Sequence, residues 1–162
     1  MYPVKSSYDL IPRQQSSRSE MSRLKTAWIS LALVFVLHVS DEASHDFLRF
    51  YNPNVRIIRQ SLGIPFPPEL SYPQFIGGMM ALVILCAFLT PLLDRGRRWT
   101  LIVARIWAMV QIANGLQHIV TSIAVGRMMP GVLTSPLLLL IAPWLLLETL
   151  RVNRRAPAPS AD

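Results

Sequence analysis

His38, Asp41, Glu42 and His45 fall within eight residues of the stretch LHVSDEASHDF, which continues an apolar run from Trp28 to Leu37. Spacings of 3, 4 and 7 return to one side of a helix, so the four side chains would share a face over roughly 10 Å. Imidazole with carboxylate is a donor set for zinc or non-haem iron. The same groups move protons near neutral pH, because burial and close partners shift both toward the working range. Inside a bilayer each ionisable group costs roughly 2.5–3.5 kcal/mol by insertion scales. Four on one face therefore need a function, or a helix end at which they meet water.

The elements that must hold these residues are membrane spans. The chain has 162 residues, 52% of them hydrophobic, and a mean hydropathy of +0.38. That composition is too apolar for a typical soluble domain and leaves room for about four spans of about 20 residues each. The predicted class is all-α, a four-span transmembrane helical bundle. The expected organisation is a disordered basic tail over 1–25, a four-helix domain over 26–150 and a short cytoplasmic tail over 151–162. No cleavable leader is predicted, because the first apolar run follows the basic tail and carries no small-residue cleavage site.

The spans are placed at about 27–47, 75–93, 99–125 and 132–150. The first is too short unless its helix carries the motif to about Phe47, and no Gly or Pro intervenes before Pro53. The segment from Arg49 to Gln74 holds five prolines, beginning at Pro53, and is read as a loop whose aromatics suit an interfacial lid. Gly77 and Gly78 suggest close helix approach in the second span. Pro91, Pro136 and Pro143 suggest kinks or ends. Arg105 and Glu148 are expected to snorkel or to pair with each other between antiparallel helices.

The net charge is +7. The basic residues cluster in tails and short loops beside apolar segments, and no nucleic-acid motif accompanies them, so no nucleic-acid partner is expected. The expected partners are the lipid bilayer and a lipid-like or apolar small molecule; the sequence names no protein partner. Eleven basic residues lie in the tails and in the connection between spans 2 and 3, against four in the other two connections. This bias predicts both termini in the cytoplasm, and, for a bacterial cell, residence in the cytoplasmic membrane. Cys86 is the single cysteine, which excludes an intrachain disulfide and a thiolate zinc site.

In that topology spans 1 and 3 run the same way. The third and last histidine, His118, then falls at the depth of the first two. It belongs to a polar stripe of Gln111, Asn114, His118 and Thr121, spaced 3, 4 and 3. The expected site lies between spans 1 and 3. His38, Glu42, His45 and His118 are its candidate metal ligands for zinc or iron. Asp41 is a ligand, general base or orienter of a histidine; Glu42 also serves acid–base chemistry; Asn114 orients His118 or a substrate oxygen. The leading expectation is a metal-dependent membrane hydrolase or oxygenase. The alternatives are a metal-free lipid isomerase or proton-transfer protein, and a non-catalytic assembly or transport partner whose polar groups fix helix packing.

His38-Val-Ser-Asp41-Glu42 resembles the motif of the membrane family named for His-x-x-Glu-Glu. Asn114 and His118 match that family's Asn-x-x-x-His, and Pro130, Gly131 and Thr134 its Pro-Gly-x-x-Thr. Order and spacing agree over roughly residues 30–145. Asp41 stands in place of the first Glu, keeping the charge and shortening the reach. The resemblance implies a polytopic membrane protein without naming a reaction. The four spans and His38-x-x-x-Glu42 also loosely resemble sterol-isomerase-type membrane domains, which implies proton transfer on a lipid.

Overall fold

The computed structural model describes residues 11–93 and 98–154. These form five helices and, among the described residues, no strand: α1 (Ile11–Ser44), α2 (Phe47–Leu62), α3 (Tyr72–Leu93), α4 (Arg98–Val125) and α5 (Ser135–Arg154). Four of them, α1, α3, α4 and α5, are long and apolar enough to cross a membrane. Their outer surfaces carry a large exposed apolar area, with Leu33, Phe88, Ile106, Val120, Ile123 and Leu140 all more than half exposed. A surface of that kind suits lipid and not water.

Three helices bury stripes at the helical repeat. On α1 the stripe runs Glu20, Leu24, Ala27, Leu31, Phe35, His38 and Glu42, in steps of 3 and 4. On α4 it runs Thr100, Ala104, Ala108, Gln111, Gly115 and His118. On α5 it runs Ser135, Leu138, Ala142, Leu145 and Glu148 or Thr149. Each stripe is apolar in the middle and turns polar toward its ends, and the ends that meet near α2 are His38–Glu42, His118 and Ser135. α5 packs along both α1 and α4, so it sets those two helices face to face. Gly115 permits the approach: a Cβ there would lie 3.1 Å from Leu139 Cγ and 3.2 Å from the Ser135 carbonyl.

α3 is the peripheral member. It leans on α1, meets α4 only sparsely, and is pinned by Trp28, whose indole N–H donates to the Cys86 carbonyl and to Thr90 Oγ1, both at 3.1 Å. No Cβ on Gly77 or Gly78 would meet an atom within 4 Å, so the close-approach glycine is Gly115 instead. α3 begins with a capping box: Gln74 Oε1 accepts from the Ser71 N–H and hydroxyl at 2.8 and 2.9 Å. It continues past Pro91 to Leu93. Pro136 falls in the first turn of α5, where no intrahelical N–H is required.

The structure departs from the sequence expectation in four places. Helix α1 starts at Ile11, so the segment 11–25 is not a disordered tail; residues 1–10 lie outside the described set. Leu24 and Met21 join a cluster containing Leu145 and Val152, and this packing overrides the polar composition. Second, α1 ends at Ser44, not near Phe47: Asp46 has φ 56°, a left-handed conformation that stops the helix and redirects the chain. Third, residues 47–62 are helical despite Pro53, with Phe50, Ile57 and Ile58 toward one side and Arg49, Arg56 and Arg59 toward the other. Pro53 is exposed, so the carbonyl that its missing N–H leaves unpaired is not sealed in the core. Fourth, Arg105 binds Thr149 Oγ1 and carbonyl at 3.3 and 3.0 Å, while Glu148 pairs with Arg151 at 2.6 Å.

The segment after α2 folds back along it. Asn52 exchanges two hydrogen bonds with the Leu70 backbone, each 2.9 Å. Arg56 binds Glu69 through two nitrogens, at 2.7 and 3.3 Å. This hydrogen bond, aided by the charges of Arg56 and Arg59 against some desolvation, holds the Glu69 carboxyl below its ordinary range.

A candidate metal centre

Two helices supply the cluster. From α1 come His38 and Glu42, one helical turn apart; from α4 comes His118. His118 Nε2 lies 3.1 Å from Glu42 Oε1, and His38 Nε2 lies 3.7 Å from the same oxygen. All three side chains are buried. Their ligand atoms lie within 4.8 Å of one another. The two imidazoles meet edge to face, with centroids 4.8 Å apart. Among the described residues this is the one group of three or more histidine, cysteine or acidic side chains that converge at metal-binding distance.

The loop into α5 closes the cluster from a third side. Gly131 has φ 82°, and a Cβ there would lie 2.8 Å from His118 Cε1 and 2.9 Å from both His118 Nδ1 and His38 Cε1. Only glycine gives this backbone both its left-handed turn and its contact with two imidazoles. Three residues on, Thr134 precedes α5 and binds back to α1. Its N–H and hydroxyl both donate to Asp41 Oδ2, at 3.2 and 3.0 Å. Asp41 thus places a carboxylate at the N-terminus of α5, where unpaired backbone N–H groups favour negative charge.

This network assigns the His38 tautomer. Thr134 Oγ1 lies 2.9 Å from His38 Nδ1. The hydroxyl has one proton, and its possible acceptors are His38 Nδ1 at 2.9 Å, Asp41 Oδ2 at 3.0 Å and the Gly131 carbonyl at 3.3 Å. Given to the carboxylate, the only charged acceptor of the three, that proton leaves the Thr134 oxygen to accept from His38 Nδ1–H. Nε2 then carries the lone pair and faces the cluster, where the Asn114 amide donates to it at 3.1 Å. A ligating histidine is usually fixed by a hydrogen bond from its far nitrogen to a carboxylate, carbonyl or water; here the Thr134 hydroxyl, itself bound to the Asp41 carboxylate, takes that place.

Three of the four ligands expected from the sequence therefore meet, and His45 does not. Because α1 ends at Ser44, His45 turns off the buried face. Its side chain is 54% exposed and pairs with Asp41 Oδ1 at 2.9 Å. Asn114 is beside His38, not His118. Asp41 lies outside the triad and orients it. Gln111 is buried behind Asn114, 3.5 Å from its amide nitrogen. Sequence reasoning assigned no task to Gly131 or Thr134, although both stood in the Pro-Gly-x-x-Thr element. His45→Ala is expected to change stability by less than about 1 kcal/mol, the usual worth of an exposed pair, measured by thermal unfolding in detergent.

Nitrogen, nitrogen and carboxylate oxygen make up the two-histidine, one-carboxylate set used by non-haem iron, and zinc accepts it equally. The separations of 3.1 and 3.7 Å from Glu42 Oε1 suit atoms that approach one ion at about 2.0–2.2 Å; the triad as a whole spans up to 4.8 Å, so the two imidazoles would draw closer on an ion. The cluster also has no lysine or arginine to balance its carboxylate, so an ion or a shared proton is the natural complement.

No curated protein and no solved structure matches this chain. The family model described as protein of unknown function with HXXEE motif matches residues 28–145, a range that contains His38, Asp41, Glu42, Asn114, His118, Gly131 and Thr134. With most of its length matched, and with the motif residues gathered at one centre, the chain belongs to the HXXEE-motif family.

Proposed function

We propose that this protein is a metal-dependent membrane enzyme acting on a lipid or another apolar substrate, with His38, Glu42 and His118 holding a zinc or iron ion. The observation that carries the reading is the convergence of three buried ligand atoms from two helices within 4.8 Å. In such a donor set zinc supplies a Lewis acid and an acidified water, and iron supplies open positions for oxygenase chemistry. The protein's own groups do the positioning. Asp41, through Thr134, keeps the proton of His38 on Nδ1. The Asn114 amide is placed to orient a substrate oxygen beside His38. The Gly131 backbone and the Phe47 ring exclude water, which strengthens every polar interaction inside.

The charge bias orients both termini to the cytoplasm and the cluster toward the opposite face of the membrane. A second reading has its own support: His118 Nε2 and Glu42 Oε1, 3.1 Å apart, already form an acid–base pair that can carry a proton without an ion.

Elemental analysis of the full chain purified in mild detergent separates the two. About one zinc or iron per chain, lost in His118→Ala and kept in His45→Ala, supports the metal reading. Folded protein that stays metal-free after incubation with either ion overturns it. Thr134→Val is expected to weaken the ion about 10–100-fold, and Thr134→Ser, which keeps the hydroxyl, to restore most of it; competition with a chelating dye measures both.

A further inference from the structure

The ends of α1 and α3 and the start of α2 enclose a cavity of about 210 Å³. We infer that this cavity receives the hydrocarbon-bearing end of an amphiphilic lipid, and that the Phe47 ring is the partition between it and His118. The inference rests on the reading of the cluster as a lipid-acting centre, and names where its substrate sits.

The lining is mixed. Phe47, Leu48 and Phe75 are apolar, while Ser44, Asp46 and Tyr72 are polar. Such a surface fits a molecule with a chain and a head. Pockets that enclose a whole small molecule measure about 300–1,000 Å³, so this one holds part of a larger molecule whose remainder lies outside.

Its level in the bundle points to lipid as that molecule. The cavity lies where α1 stops at Ser44 and α3 starts at Tyr72, both of them helices long and apolar enough to cross a membrane. The connecting helix α2 exposes Ile57 and Ile58 on a side turned away from Arg56 and Arg59. A helix of that kind lies in the plane of the headgroup boundary. The cavity therefore opens where lipid heads meet chains.

Phe47 faces both compartments. It lines the cavity, its ring centroid is 5.4 Å from that of Phe75, and it is 6.2 Å from the His118 ring. The direction of Phe47 is set by the left-handed turn at Asp46 immediately before it. One aromatic ring thus separates a chain-sized recess from a ligand of the candidate ion, and its bulk determines how far a bound chain reaches.

The test is photolabelling of the full chain in lipid nanodiscs, after incubation with zinc, using a fatty acid that carries a diazirine. Labelled positions are mapped by mass spectrometry and bound zinc is counted in the same samples. Label on residues 43–48 and 72–75 is expected to exceed that on the bilayer-facing positions Leu85 and Phe88 by about tenfold. Ser44→Trp, at an exposed position on the cavity wall, is expected to remove that excess with bound zinc unchanged. Phe47→Ala is expected to extend label to Asn114 and His118. Uniform label along α3, or an excess that survives Ser44→Trp, overturns the inference while zinc binding stands apart from it. Cavity label on a protein that binds no zinc supports the inference and overturns only the metal reading.

Discussion

Gly131→Ala is expected to lower stability by about 2–6 kcal/mol, the sum of a strained backbone and an overfilled contact. The added methyl would sit under 3.0 Å from atoms of both His118 and His38. Neither ring can retreat freely: His38 is held by Thr134 and Asn114, and His118 by Glu42. The loop must move instead, and Thr134, three residues on, would lose Asp41. Gly126→Ala is the control. Gly126 has a similar φ of 67°, but a Cβ there meets nothing within 4 Å, so it carries the backbone strain alone, about 1–3 kcal/mol. Thermal unfolding of both variants in the same detergent separates clash from strain. A much larger loss at Gly131 is the expected result; equal losses would mean that the loop does not rest on the imidazoles.

Glu42→Gln is expected to abolish metal binding while leaving the helices folded. One oxygen of Glu42 faces both histidines, at 3.1 and 3.7 Å, so it is the hub of the triad. The amide keeps the size of the side chain and removes the charge that an ion would neutralise. Loss of a partner that merely orients a ligand costs about 10–100-fold in affinity, and loss of the hub is expected to exceed that. Zinc content per chain and circular dichroism are the two readouts. A carboxylate retained only for packing would tolerate the amide, and zinc content would then match that of the unaltered chain.

The long α3, α4 and α5 spans are legible in the sequence because apolar length alone defines them. The pairing of His38 and Glu42 with His118 is legible as well. Parallel spans at matched depth bring the two stripes level, and a helix fixes which side chains share a face. What escaped notice had a physical cause in each case. Pro53 reads as a helix breaker, but the apolar residues of α2 recur at helical spacing and its proline is exposed. Arg18 to Lys25 read as part of a disordered basic tail, yet Leu24 among them joins the buried core cluster, a burial seen only when the helices are placed together. His45 keeps helical spacing in the sequence; the left-handed Asp46 that ends the face is one conformation of a residue with no fixed preference. Asp41 lies about ninety residues along the chain from Gly131 and Thr134, so their joint hold on His38 follows from the bundle and not from any local pattern. The Arg105–Glu148 pairing failed by one position, because Thr149 presents both a hydroxyl and a carbonyl where Glu148 turns to Arg151.

These departures sharpen the functional reading. The expected four-ligand cluster contracts to two imidazoles and one carboxylate, all buried, and the remaining motif residues become its supports. Asp41 and Thr134 fix one ring, and Asn114 lies against the lone pair of that ring. Gly131 closes the contact from the α5 side and Phe47 from the α2 side.

X-ray absorption by the purified, zinc-loaded protein addresses the convergence of His38, Glu42 and His118 most directly. The predicted spectrum is a shell of nitrogen and oxygen at about 2.0–2.2 Å, with the outer scattering of two imidazoles and no sulfur, and this bound-zinc spectrum disappears in His118→Ala. A shell without imidazole scattering, or one that His118→Ala leaves unchanged, would contradict the site.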